Sequence, residues 1–180
     1  ASYRRQRQMC IRDRFIADRM SEIIANKYGQ KISITGVATG AIAIGAMIAE
    51  RLNSPYSYVR PEPKGHGLKN QIEGYIEEGS KLVVIEDLIS TGKSSLKAIK
   101  ALRNKNLNVV GMLSIFSYNF DFANERFQKE NISINSLADY NTLVEMIIAE
   151  GSITYAESNR LMEWRNCLLY TSPSPRDSCA

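Results

Sequence analysis

Leu82-Val83-Val84-Ile85-Glu86-Asp87-Leu88-Ile89-Ser90-Thr91-Gly92-Lys93-Ser94-Ser95 changes character twice along its length. Four apolar, mostly β-branched residues predict a buried strand over 82–85. Two carboxylates follow, and hydroxylated residues around one glycine lead into a helical pattern over 95–104. A strand, loop and helix in that order put the carboxylates at the C-terminal edge of a sheet, where open α/β folds hold ligands. Amides at the helix start then seat an anion. Carboxylates accept hydrogen bonds from vicinal hydroxyls or metal-bound water, so a ribose 5-phosphate would satisfy both halves.

Gly92-Lys93-Ser94 imitates the end of a nucleotide-binding P-loop, but the glycine that motif needs five residues earlier falls on Asp87. A carboxylate there would repel phosphates, and the motif is rejected. The plainer alternative is a strand that ends in two acids and a helix capped by Ser90 or Thr91.

Outward from this block, strand and helix patterns alternate. A helix over 15–28, with Phe15, Ile16, Met20, Ile23 and Ile24 on one side, stops at Gly29. Strands follow over 32–37, 56–59, 72–76, 109–116 and 132–134. Helices fall over 41–52, 121–130, 137–149 and 154–164. The alternation predicts an α/β fold, a mostly parallel sheet with helices on both faces.

Two further stretches can carry chemistry. Gly36-Val37-Ala38-Thr39-Gly40-Ala41 lacks dinucleotide-fingerprint spacing; it is either an anion seat at a helix start or a tight turn for close packing. Residues 60–71 include Arg60, Lys64, Lys69 and the only histidine, His66, among glycines and prolines. They form either a mobile arm able to grip a leaving pyrophosphate or a solvated basic loop.

Composition bounds the rest. At 180 residues with 44% hydrophobic content the chain supports one domain. The net charge of +4 is carried by residues 1–14, where five arginines face Asp13, and the middle is neutral, so no nucleic-acid partner is expected. No apolar run suits a membrane span. Cys10, Cys167 and Cys179 all lie outside the middle, which fits a reducing, cytoplasmic setting.

The block Val84 to Gly92 resembles the phosphoribosyl pyrophosphate loop of the type I phosphoribosyltransferases, in the wording of the orotate phosphoribosyltransferases. That resemblance implies that Glu86 and Asp87 hold the ribose hydroxyls, with Leu88 and Ile89 beside them. Ser90, Thr91, Gly92, Lys93 and Ser94 would wrap the 5′-phosphate. It implies that Ala38, Thr39 and Gly40 meet the pyrophosphate, with a non-proline cis peptide near Ala38 and Thr39. Lys64 and His66 take the family's catalytic loop positions with Asp87, reaching the neighbouring site of a homodimer, and Arg60 matches the loop-start arginine. Pro61 stands where some members have another lysine. The implied reaction joins orotate to phosphoribosyl pyrophosphate, giving orotidine 5′-monophosphate and pyrophosphate. Mg²⁺ is held through substrate and water near Glu86 and Asp87, with no direct protein ligand.

Met112 to Tyr118, Leu137 to Tyr140 and Glu163-Trp164-Arg165 resemble one bacterial branch of the same family. Ser117 and Tyr118 stand where another branch has an orotate-contacting arginine. Residues 1–14 do not resemble the hood segment that precedes the domain in the family, so the resemblance covers 15–165, an N-terminally truncated phosphoribosyltransferase domain. This chain is then expected to grip the donor better than orotate. Residues 1–14 and 166–180 are expected to be non-native or disordered flanks; a basic arm and a Ser/Pro tail are the biological alternative. The competing functions are a purine phosphoribosyltransferase and a non-catalytic sensor of phosphoribosyl pyrophosphate.

Overall fold

The structure, a computed structural model, describes residues 2–29, 31–60 and 71–171, with side chains between 11 and 165. The chain runs α1 (Ser2–Tyr28), β1 (Ile32–Val37), α2 (Ala41–Leu52), β2 (Tyr56–Val59), β3 (Ile72–Gly74), β4 (Lys81–Ile89), α3 (Lys93–Arg103), β5 (Asn108–Ser117), α4 (Asp121–Lys129), β6 (Ile134–Asp139), α5 (Tyr140–Ala149) and α6 (Tyr155–Thr171). One six-stranded sheet has the order β3-β2-β1-β4-β5-β6, with β3 alone antiparallel to its neighbour. The expected α/β architecture is thus present.

Strand periodicity divides the core between two faces. Val83 and Ile85 pack with Ile34, Leu113, Ile44 and Ile48 of α2, and Met20 and Ile24 of α1. Leu82 and Val84 pack on the other face with Met112, Ile99 and Leu102 of α3, and Phe127 of α4. All six residues of β1 are buried, since it lies between β2 and β4 under helices on both faces.

Several boundaries differ from those read in the sequence. Helix α1 begins at Ser2, not Phe15; among the residues with described side chains Ala17, Met20 and Ile24 are its buried apolar ones, while Phe15 is 63% exposed and belongs to the outer side. The strand expected over 132–134 is instead Ile134–Asp139, which consumes the first turn of the helix expected from Leu137. Parallel pairing of Met112 through Ser117 on β5 with Ile134 through Asp139 outweighs the helix preference of Leu137 and Ala138. Asp139 then caps α5, its carboxylate accepting from the Thr142 amide at 2.9 Å. Helix α3 starts at Lys93, two residues early, behind Gly92 in left-handed geometry, so neither Ser90 nor Thr91 is its N-cap.

Candidate active site

Strand β4 does not end at the carboxylates. It carries Glu86, Asp87, Leu88 and Ile89 as well, each in register with β5 or adjacent to a residue that is. Glu86 therefore continues the series Leu82, Val84 toward α3, and Asp87 continues Val83, Ile85 toward α2. The two carboxylates serve opposite faces of one strand end.

Glu86 is 4% exposed. Its Oε2 accepts from Ser95 Oγ of α3 at 2.9 Å, and its Oε1 accepts from the Asp87 amide at 3.2 Å. Burial chiefly, with the neighbouring Asp87 carboxylate adding to it, pushes the Glu86 carboxyl up to about 8, so it is mostly protonated at neutral pH. Asp87 is half-buried; its Oδ1 accepts from the Leu88 amide at 2.8 Å. Its other oxygen points at the loop after β1, where a Cβ built on Gly40 would lie 1.9 Å from Asp87 Oδ2. Only glycine leaves room for that carboxylate.

The loop after β1 thus lies against Asp87. Its Ala38–Thr39 peptide is cis, at the position expected, and the Ala38 amide donates to the Val59 carbonyl at 2.9 Å. Thr39 and Gly40 are exposed at the start of α2. On the other side of Asp87, Ser90, Thr91, Gly92, Lys93 and Ser94 turn into α3, with Lys93 exposed and Ser90, Thr91 and Ser94 half-buried. Gly92 has φ +75°, and a Cβ there would meet Phe127 Cε2 at 2.8 Å. Arg126 Nη1 of α4 donates to the Thr91 carbonyl at 3.1 Å, which ties the loop to α4. Three segments therefore converge: a turn of small residues, an acidic strand end and a hydroxyl-rich helix start. Together they offer an anion seat, hydroxyl acceptors and a second anion seat.

Leu88 and Ile89 take no comparable place. Leu88 is half-buried within β4, and Ile89 is 1% exposed, its carbonyl accepting from the Tyr118 amide at 2.9 Å. Arg60 lies at the end of β2, its amide bonded to the Gln71 carbonyl at 2.8 Å and its Nε 3.4 Å from Glu73 Oε1. Lys64 and His66 fall outside the described residues. Ser95, Arg126 and Gly40's steric role were missed by sequence reading. Periodicity along α3 hints that Ser95 faces inward, but no local signal places α4 behind Thr91. A separate cavity of about 440 Å³ lies between α4 and β6, bordered by Ser117, Asn124, Gln128, Asn135 and Asp139. Phe127, which a Cβ on Gly92 would touch, is among its lining residues.

Residues 12–135, more than two thirds of the chain, match the model of the phosphoribosyl transferase domain. The chain is 45% identical over 151 residues to the orotate phosphoribosyltransferase of Phocaeicola vulgatus, covering 84% of this chain and 71% of that one. It is 44% identical over 146 residues to that of Porphyromonas gingivalis, covering 81% and 70%. Among solved structures, orotate phosphoribosyltransferase from Aeropyrum pernix superposes with a TM-score of 0.64 at 29% identity over 74% of each chain. The fold also matches Leishmania donovani UMP synthase, with a TM-score of 0.69 at 24% identity, across 86% of this chain and 33% of that one. With the converging loops at the C-terminal edge of its sheet, the chain belongs to the phosphoribosyltransferase family, within its orotate phosphoribosyltransferase group.

Proposed function

We propose that the chain transfers a 5-phosphoribosyl group from phosphoribosyl pyrophosphate to orotate, yielding orotidine 5′-monophosphate and pyrophosphate in pyrimidine biosynthesis. The observation that carries the donor half is the fit of the Asp87 carboxylate against Gly40, which joins the acidic strand end to the cis-peptide loop. The relatives named above support orotate as acceptor.

In this reading Asp87 orients the ribose hydroxyls, Ser90 to Ser94 receive the 5′-phosphate, and Ala38, Thr39 and Gly40 receive the pyrophosphate. Glu86, protonated and bonded to Ser95, braces the strand end beside Asp87. Displacement at the anomeric carbon develops positive charge on the ribose and negative charge on the leaving group. Lys64 and His66, delivered by loop 60–71 of the other protomer in a homodimer, would neutralise the leaving pyrophosphate. Preorganised donors of this kind contribute roughly 10²–10³ in rate each. Among the described residues no group of three or more His, Cys, Asp or Glu side chains could cage a metal. The half-buried Asp87 carboxylate is a hard oxygen donor that would suit a hydrated Mg²⁺ carried by the donor, whereas Glu86 is buried with both oxygens already bonded. Held there, the ion would supply charge neutralisation to the leaving pyrophosphate. No helix among the described residues is long and apolar enough to cross a membrane, and the proposed setting is the cytoplasm.

Pyrophosphate release, assayed with orotate, adenine, guanine and hypoxanthine in turn, tests the assignment. Release with orotate alone is expected. Release with a purine instead, or donor binding without release for any base, would replace it with the purine or the sensor reading.

A further inference from the structure

Arg165 is the last residue of the Glu163-Trp164-Arg165 motif, on α6, yet its contacts lie at the other end of a long chain separation. Its Nε donates to the Tyr118 carbonyl at 2.8 Å and its Nη2 to the Asn119 carbonyl at 2.5 Å. The guanidinium also lies 5.1 Å from the ring centroid of Phe120 and 5.8 Å from that of Tyr140. Tyr118 stacks on Phe120 at 5.7 Å and on Tyr140 at 5.9 Å, and Tyr140 Oη donates to the Leu161 carbonyl of α6 at 3.0 Å. One guanidinium therefore satisfies two carbonyls and two ring faces of the turn that follows β5. This is a built arrangement, since a forked donor is what two adjacent carbonyls require.

That turn borders the donor site. The Tyr118 amide donates to the Ile89 carbonyl, one residue before the loop 90–94. The order β1-β4-β5 puts the cis-peptide loop on one side of β4 and the turn 118–120 on the other. Displacement at the anomeric carbon brings the acceptor in opposite the departing pyrophosphate. With the pyrophosphate on the β1 side, the acceptor meets the β5 side.

Resting on the proposed transfer reaction, we infer that Arg165 is a positioning residue for the acceptor: from α6 it fixes the turn 118–120 where the incoming base is seated. It touches no reacting atom, and its effect passes through the placement of Tyr118 and Asn119.

The test compares two ligands on the full chain. Ribose 5-phosphate reports the donor half alone, and orotidine 5′-monophosphate reports both halves; the ratio of their dissociation constants isolates the base. Arg165→Met is expected to reduce that ratio roughly tenfold or more, the scale of losing charge-assisted hydrogen bonds, with ribose 5-phosphate binding unchanged. Arg165→Lys keeps the cation over the rings but cannot reach both carbonyls, and is expected to lose part of the ratio. An unchanged ratio in Arg165→Met, or equal weakening of both ligands, overturns the inference. Should Arg165→Met fail to fold, Arg165→Lys decides: a wild-type ratio overturns it and a reduced one upholds it. A wild-type chain that binds ribose 5-phosphate but gains nothing from the attached orotate overturns the functional reading itself, and this assignment with it.

Discussion

Asp87 Oδ2 occupies the space that a side chain on Gly40 would fill, with a built Cβ only 1.9 Å away. Gly40 has φ −64° and ψ −35°, a conformation that alanine adopts without penalty, so the backbone itself does not demand glycine here. The demand comes from Asp87 alone. Gly40→Ala is expected to turn the carboxylate aside and weaken phosphoribosyl pyrophosphate binding roughly tenfold, the scale of one charge-assisted hydrogen bond, while the melting temperature stays close to wild type. In an Asp87→Ala background the same change should cost little. A titration of the four chains of that cycle measures the coupling, expected at about 0.5–3 kcal/mol; additivity would show that the two residues act separately.

Asp87→Asn separates the two anion seats from the hydroxyl grip. It should weaken ribose 5-phosphate binding by about 1.5–3 kcal/mol through loss of a charge-assisted contact. Inorganic phosphate, which can engage the anion seats at 38–40 and 90–94 but has no ribose hydroxyls for Asp87 to hold, should bind as before. Calorimetry with both ligands checks this, and equal loss of both would place Asp87 in the phosphate seat.

Much of this arrangement is legible in the chain because local signals coincide with tertiary ones. Leu82 to Ile85 read as buried strand, and they are; the glycine-containing turns at 36–40 and 90–94 read as helix approaches, and both are. What was hidden is which way each acid faces. Reading Glu86-Asp87 as a strand's end makes them a pair, whereas β4 continues to Ile89 and period-2 geometry sends one to Ser95 and the other to Gly40. The contribution of Arg165 was equally hidden, since no periodicity in α6 reveals carbonyls near residue 118. The strand at Ile134–Asp139 was misplaced for the same reason: its partner β5, not its own composition, makes it a strand.

Gly92 answers to two constraints at once. Its φ of +75° is a left-handed conformation, which costs other residues about 1–2 kcal/mol, and a Cβ would press on Phe127 Cε2 at 2.8 Å. Gly92→Ala should therefore lose more than that backbone cost, since overpacking a core adds about 1–3 kcal/mol. Denaturant unfolding of Gly92→Ala with and without Phe127→Leu divides the two contributions. If Phe127→Leu relieves none of the loss, the contact with Phe127 carries no cost.

Loop 60–71 leaves the sheet between two paired strands, with the Arg60 amide bonded to the Gln71 carbonyl at its base. If Lys64 acts across a homodimer, Lys64→Ala and Asp87→Ala chains, each inactive, should regain activity when mixed, because one site of the heterodimer then has both groups. No recovery in a verified heterodimer would place Lys64 in its own chain's site.

Glu86 gives the fold a pH dependence whose sign follows from its burial. In the unfolded chain its carboxyl ionises near 4.5, whereas in the folded chain it holds its proton to about 8. Between those values the native state binds the extra proton, so stability is greatest below about pH 4.5 as far as this group is concerned and falls as pH rises toward 8. The loss is on the order of a few kcal/mol for a group shifted this far. Gln at this position keeps an oxygen to accept from Ser95 Oγ and an amide N–H that can donate toward Asp87, as the protonated carboxyl does. Glu86→Gln should thus match the wild type near pH 5 and exceed it in stability at pH 8. Denaturant unfolding of both chains at pH 5, 6.5 and 8 measures the difference. A difference that stays constant with pH would mean that Glu86 is ionised in the folded protein and that its contact with Ser95 is a salt-like bond to a carboxylate.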